Sequence, residues 1–242
     1  MIRAILCFTF LLLNVLGAEI STEFEAANRL YEKGDYVNAA AAYQKIADNG
    51  RASSALLFNL GNAYFKNGQT GRAIAAYRQA EQLDPRDPDI RANLKFALNA
   101  VPGNTGRASP VDRALGLLTL NERGFWTTLV LWVCFGSLIL GQARPGWRNN
   151  LRTLTVASAI FAVFFGAWYA QGLIERATDR QVVVIAQTGV VRFGPLEESQ
   201  VSFNVRDGNV LTLLGTKDRW LQVADASNRS GWIQQRDVLR LP

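Results

Sequence analysis

The chain has 242 residues, with 26 Lys and Arg against 20 Asp and Glu, a net charge of +6, and no histidine. The missing imidazole excludes Ser-His and Cys-His nucleophile systems and histidine metal sites. Residues 19–98 carry ten basic and ten acidic side chains, 179–242 eight and seven, and 99–178 seven and three. The basic excess therefore coincides with the apolar middle of the chain, which points to anionic lipid headgroups rather than nucleic acid.

In chain order, MIRAILCFTFLLLNVLGAEIS has one cation at Arg3, an apolar run from Ala4 to Leu16, then Gly17 and Ala18. This is the layout of a secretory signal peptide over residues 1–18. The run is short for a spanning helix, and Asn14 interrupts it. Its removal leaves Cys134 as the sole cysteine, so the mature chain holds no internal disulfide.

A shift of 34 residues then lays one segment on the next: Phe24 on Phe58, Ala27 on Gly61, Asn28 on Asn62, Gly34 on Gly68, Ala39 on Ala73 and Tyr43 on Tyr77. A fixed period of about 34 is the signature of a stacked helix-turn-helix unit. The apolar residues recur with helical spacing, as in Leu57, Leu60, Gly61, Tyr64 and Phe65. Thr70 is the expected N-cap of the next helix, Pro85 ends the second repeat, and Asp89 to Ala100 reads as a terminal covering helix. These residues resemble the tetratricopeptide repeat family, so an all-α repeat domain is expected over 19–101. Two repeats and a cap are few, so the helical domain is expected to lean on the rest of the chain or on a partner. The resemblance implies a concave peptide groove lined by positions 6, 9 and 13 of each first helix. Those positions are Asn59, Asn62 and Lys66 in repeat two, with Asn28 in repeat one and Asn93 in the final helix; Asn28 and Asn62 would bond either the backbone of an extended ligand or a neighbouring helix.

Residues 102–124 read as a linker, with Leu115 to Leu120 able to lie along a membrane surface and Thr119 and Glu122 spaced as a capping box. Two uncharged runs, Phe125 to Gly141 and Thr153 to Ile174, follow at about the 20-residue length that crosses a hydrocarbon core. The expected spans are 125–143 and 153–174, joined by a cytoplasmic loop at 144–152 that holds Arg144, Arg148 and Arg152. Arg113, Arg123, Arg176 and Arg180 flank the outer ends, so loop charge alone does not orient the chain. The signal peptide does, and it places both flanking domains in the periplasm or the exterior of a bacterial cytoplasmic membrane.

From residue 179 the pattern changes to short β-branched runs parted by Phe193-Gly194-Pro195, Asp207-Gly208, Lys217-Asp218 and Asn228-Arg229-Ser230-Gly231. Five short strands in a small barrel are expected. Val190-Val191-Arg192 with Gly194-Pro195, then Trp220 with Leu221 and Val223, and Gly231-Trp232-Ile233 are similar to the bacterial SH3-like domain. Trp220 and Trp232 are read first as core aromatics; the resemblance also implies a ligand surface for Pro-rich peptides or peptidoglycan.

No Gly-rich phosphate loop is present, and Glu197-Glu198 sits in a turn-like stretch. The chain is thus read as a non-enzyme without cofactor or metal. The order of signal peptide, repeats, two spans and SH3-like domain resembles the Bat aerotolerance proteins of bacteria, of the BatE type. That resemblance implies a membrane-anchored scaffold in an envelope stress-tolerance system with a MoxR-type ATPase. The implied partners are membrane-anchored von Willebrand factor A proteins. Two alternatives are a peptidoglycan-binding module acting through the SH3-like domain and an assembly factor for another membrane complex.

Overall fold

The computed structural model describes residues 22–104, 118–178 and 180–241. The signal peptide at 1–18 and most of the 102–124 linker, including Leu115, lie outside the described residues. The chain forms two compact units. Among the described residues, one joins 22–104 to 180–241, and the other is 118–178.

Among the described residues, the first unit opens with five helices: α1 (22–32), α2 (Tyr36–Asp48), α3 (Ser54–Lys66), α4 (Thr70–Leu83) and α5 (Pro88–Asn99). Short polar side chains start most of them. Asp35 accepts from the Asn38 amide, Ser53 from the Leu56 amide, and Asp87 from the Asp89 and Ile90 amides ahead of Pro88. α4 ends at Leu83, just before Asp84 and Pro85. Its start departs from expectation. Gln69 occupies the N-cap position without a side-chain bond, and Thr70, the expected cap, is already helical. The helices pack through Tyr43, Leu56, Leu57, Leu60, Ala63, Ala76 and Ile90. Gly61 lets α3 and α4 cross closely, because a Cβ there would lie 2.5 Å from Cε1 of Tyr77.

Seven strands follow: β1 (Gln181–Val184), β2 (Thr188–Arg192), β3 (Val201–Arg206), β4 (Val210–Lys217), β5 (Trp220–Ala224), β6 (Ser230–Gln234) and β7 (Val238–Arg240). They form one antiparallel sheet in the order β3-β2-β6-β5-β4-β1-β7. The sheet therefore has seven strands rather than the expected five. It is also open rather than closed, since β3 and β7 each have one neighbour. Every strand still contributes to one core, through Val182, Val191, Phe203, Leu211, Leu221, Ile233 and Val238. The sheet curls around these side chains, and apolar burial holds the curvature that a closing ladder would otherwise supply. Asp218 and Asn228 take left-handed φ angles of 50° and 60°, at two of the turns marked by sequence.

β1 joins the sheet to the helices. Val182 and Val184 belong to the sheet's core, while Val183 belongs to a cluster with Ala73, Ile74, Tyr77, Leu94 and Ala97. Val210 and Leu241 pack on the same cluster. The repeats and the β domain thus share buried apolar surface rather than forming two separate cores.

The second unit is a pair of helices, Leu120–Ala143 and Arg148–Thr178, joined by a short 3-10 turn at Pro145–Trp147. Both are long and apolar enough to cross a membrane. Only 11% and 6% of their apolar windows are buried, so they do not resemble core helices of a water-soluble fold. Thr119 and Glu122 form a capping box at the first helix, which begins before the apolar run. The loop expected at 144–152 is shorter, because helix resumes at Arg148; Pro145 and Gly146 confine the turn, and nothing from Arg148 to Arg152 breaks a helix. Ser137 Oγ and Thr155 Oγ1 lie 2.8 Å apart between the two helices, and Arg123 stacks over the Trp168 ring at 5.1 Å.

Candidate functional site

The repeat period places a duplicated polar device on the first helix of each repeat. In repeat one, Asn28 Oδ1 accepts from Tyr43 OH of α2 at 2.5 Å and from Asn59 Nδ2 of α3 at 3.3 Å. In repeat two, Asn62 Oδ1 accepts from Tyr77 OH of α4 at 2.7 Å and from Asn93 Nδ2 of α5 at 2.8 Å. Phe24 packs on Tyr43 and Phe58 on Tyr77, with ring centroids 5.8 and 6.1 Å apart. The tyrosines are buried, and burial pushes Tyr43 up to about 12 and raises Tyr77 as well.

Four of the five sequence-derived groove residues are therefore brought together in two linked pairs. Each pair leaves donors on the first asparagine and an acceptor on the second. This alternation suits the N–H and C=O groups of an extended peptide. Lys66 stands exposed in the last turn of α3 and adds a cation, which suits a carboxylate.

Sequence reasoning missed Phe96. It occupies position 9 of α5, where Asn28 and Asn62 stand in their helices, and it is 65% exposed against the edge of Phe65, 5.5 Å away. The 34-residue register that carries Asn59 onto Asn93 also carries Asn62 onto Phe96, but an apolar ring there did not fit a polar groove. A second hollow of about 470 Å³ lies where α2 meets the α3–α4 turn, with Gln44, Lys45, Tyr64 and Arg72 among its lining. Three of its polar groups engage one another: Tyr64 OH donates to Gln44 Oε1, and the Arg72 guanidinium lies over the Tyr64 ring.

The seam between helices and sheet carries its own polar contacts. Asp207, in the β3–β4 turn, accepts from the Gly71 amide at 3.0 Å, in the first turn of α4. Asn104 donates to the Gly208 carbonyl at 2.8 Å and accepts from the Val210 amide at 2.9 Å. Asn209 donates to the Pro102 carbonyl at 3.0 Å. Burial raises Asp207 above the ordinary carboxylate range, despite the backbone amides and the Arg72 charge that favour its anion. Gly71 is obligatory here, because a Cβ would collide with the Val184 carbonyl oxygen.

In the β domain Trp220 is 6% exposed, in keeping with a packing role. Trp232 departs from the core reading. Gly231 and Ile233 turn inward, so Trp232 faces the outer side and is half-buried. The nearby β2–β3 loop exposes Phe193 and Leu196. Among the described residues, no three His, Cys, Asp or Glu side chains gather as a metal site.

Two family models match the chain. One is described as TPR repeat and covers residues 58–98; the other is described as Bacterial SH3 domain and covers residues 186–239. No curated protein matches the chain. The helical region is thus similar to tetratricopeptide repeats and the β domain to bacterial SH3 domains, both of which are typically interaction modules rather than catalysts.

Proposed function

We propose that this protein is a non-enzymatic, membrane-anchored adaptor that holds an extended segment of a partner protein in its repeat groove. The observation that carries the reading is the duplicated asparagine device. It sets alternating donors and acceptors along one face, beside the exposed Lys66. The two apolar helices anchor the chain, with the repeats and the β domain on the outer, periplasmic side. By the resemblance of its domain order, the adaptor serves an envelope stress-tolerance system of the Bat and MoxR kind, and its partners include membrane-anchored von Willebrand A-domain proteins. A second reading, cell-wall binding through the β domain, draws on the outward Trp232 and the exposed Phe193 and Leu196.

The test is photocrosslinking in intact cells. A photoreactive residue replaces Lys66, and a second chain carries it at Trp232. Capture of a von Willebrand A-domain protein at position 66 supports the adaptor and its system. A different protein captured there keeps the groove but removes the Bat assignment. Muropeptide captured at position 232, with nothing at 66, replaces the groove reading with wall binding.

A further inference from the structure

We infer that the β domain is the terminal cap of the repeat array, so that repeats and β domain form one body interrupted in sequence by residues 107–179. A repeat array leaves apolar surface open at its last helix and needs a capping element there. Two repeats and α5 are too few to bury that surface among themselves. In this chain Val183 of β1 fills the cluster formed by Ile74, Tyr77, Leu94 and Ala97, and Val210 and Leu241 close over it. These residues come from α4 and α5 on one side and from three separate stretches of the β domain on the other.

The polar contacts follow the same division of labour. α4 lacks an N-cap bond of its own. Asp207 supplies the missing acceptor from 136 residues away, to the Gly71 amide. The first amides of a helix have no partner inside it, so an acceptor from another domain ties that domain to the helix start. At the far end of α5, Asn104 bonds both Gly208 and Val210, as a short edge strand would. Asn209 returns a bond to Pro102. On α5 the seam takes Leu94 and Ala97, whereas Asn93 bonds Asn62 of α3 and Phe96 stands exposed.

Hydrogen exchange on the full chain in lipid nanodiscs tests this, independently of any groove ligand. With Asp207→Ala, the amides of residues 70–74 should exchange about tenfold faster, as for a lost N-cap bond, while those of α1 and α2 hold. With Asp207→Asn, which keeps an acceptor, protection should match the wild type. Unchanged exchange at 70–74 in Asp207→Ala, with the strands still protected, overturns the inference. If Asp207→Ala unfolds throughout, Asn104→Ala decides by the same readout at residues 98–104 and 208–210. Faster exchange on both sides of the seam supports the cap, and faster exchange on one side alone overturns it.

Discussion

Asn28 and Asn62 each use one side-chain oxygen twice, and this gives the groove asparagines a structural role besides any role in binding. Asn62 satisfies the buried hydroxyl of Tyr77 and the amide of Asn93. Removing it leaves the Tyr77 hydroxyl without its acceptor, a loss of about 1–3 kcal/mol. Asn62→Ala is therefore expected to lower the denaturant midpoint clearly, whereas Lys66→Ala, at an exposed position, should stay within about 0.5 kcal/mol of wild type. Chemical denaturation of the two variants checks the contrast, and equal midpoints would show that Asn62 bears no structural role. Tyr43 gives a pH signature with a defined sign. Its folded value lies at about 12 against an ordinary 10.0, because burial disfavours the phenolate. Below pH 10 both folded and unfolded chains keep the proton, and its stabilising effect is complete. Between 10 and about 12 the unfolded chain loses the proton first, so stability falls by roughly 1.4 kcal/mol per pH unit from this residue. Tyr77 shifts in the same direction and adds to the fall. Denaturation midpoints measured from pH 8 to 11.5 should decline above 10, and Tyr43→Phe should flatten the decline.

Among the elements, the two apolar helices carry a sparse polar seam whose worth can be stated. Ser137 and Thr155 share a hydrogen bond between the helices, and in a membrane such bonds average about 0.6 kcal/mol. Ser137→Ala should therefore lower the thermal midpoint in detergent only slightly. Cys134, half-buried on the same helix, should resist a water-soluble maleimide in sealed vesicles and react once detergent is added. Rapid labelling in sealed vesicles would overturn the spanning assignment. Most elements were legible because their signals are local. The Pro85 stop after α4 and the Thr119–Glu122 capping box each lie within a few residues of the structure they mark, and the 34-residue period links neighbouring helices. The start of α4 was not legible, since its acceptor is Asp207, in another domain. Thr70 looked like the cap only because no local signal opposed it. Trp232 was misread for a different reason: its inward or outward direction depends on strand register, which the two residues beside it fix in the folded sheet.

At the scale of the whole molecule, the small number of repeats called for support from elsewhere, and the strand that supplies it left its own trace in the sequence. Val182, Val183 and Val184 are apolar in succession, where a strand exposed on one face would alternate. Such a run marks a strand covered on both faces, and here the second face is covered by α4 and α5. The consequence reaches the membrane. Two pieces of chain that share one apolar cluster must lie in the same compartment, so the segment between them has to cross the bilayer an even number of times. The two apolar helices meet that requirement, whichever compartment it is. This gives a prediction independent of the signal peptide. In a chain with Cys7→Ser and Cys134→Ser, a single cysteine is placed at Lys33 in the repeats or at Ser227 in the β domain, both exposed. A membrane-impermeant maleimide should label both positions in vesicles of one orientation and neither in vesicles of the other. If that orientation is the right-side-out one, the periplasmic placement is supported as well. If the two positions label from opposite sides, the shared cluster around Val183 cannot exist in the membrane-bound protein, and the repeats and the β domain must then act as separate modules.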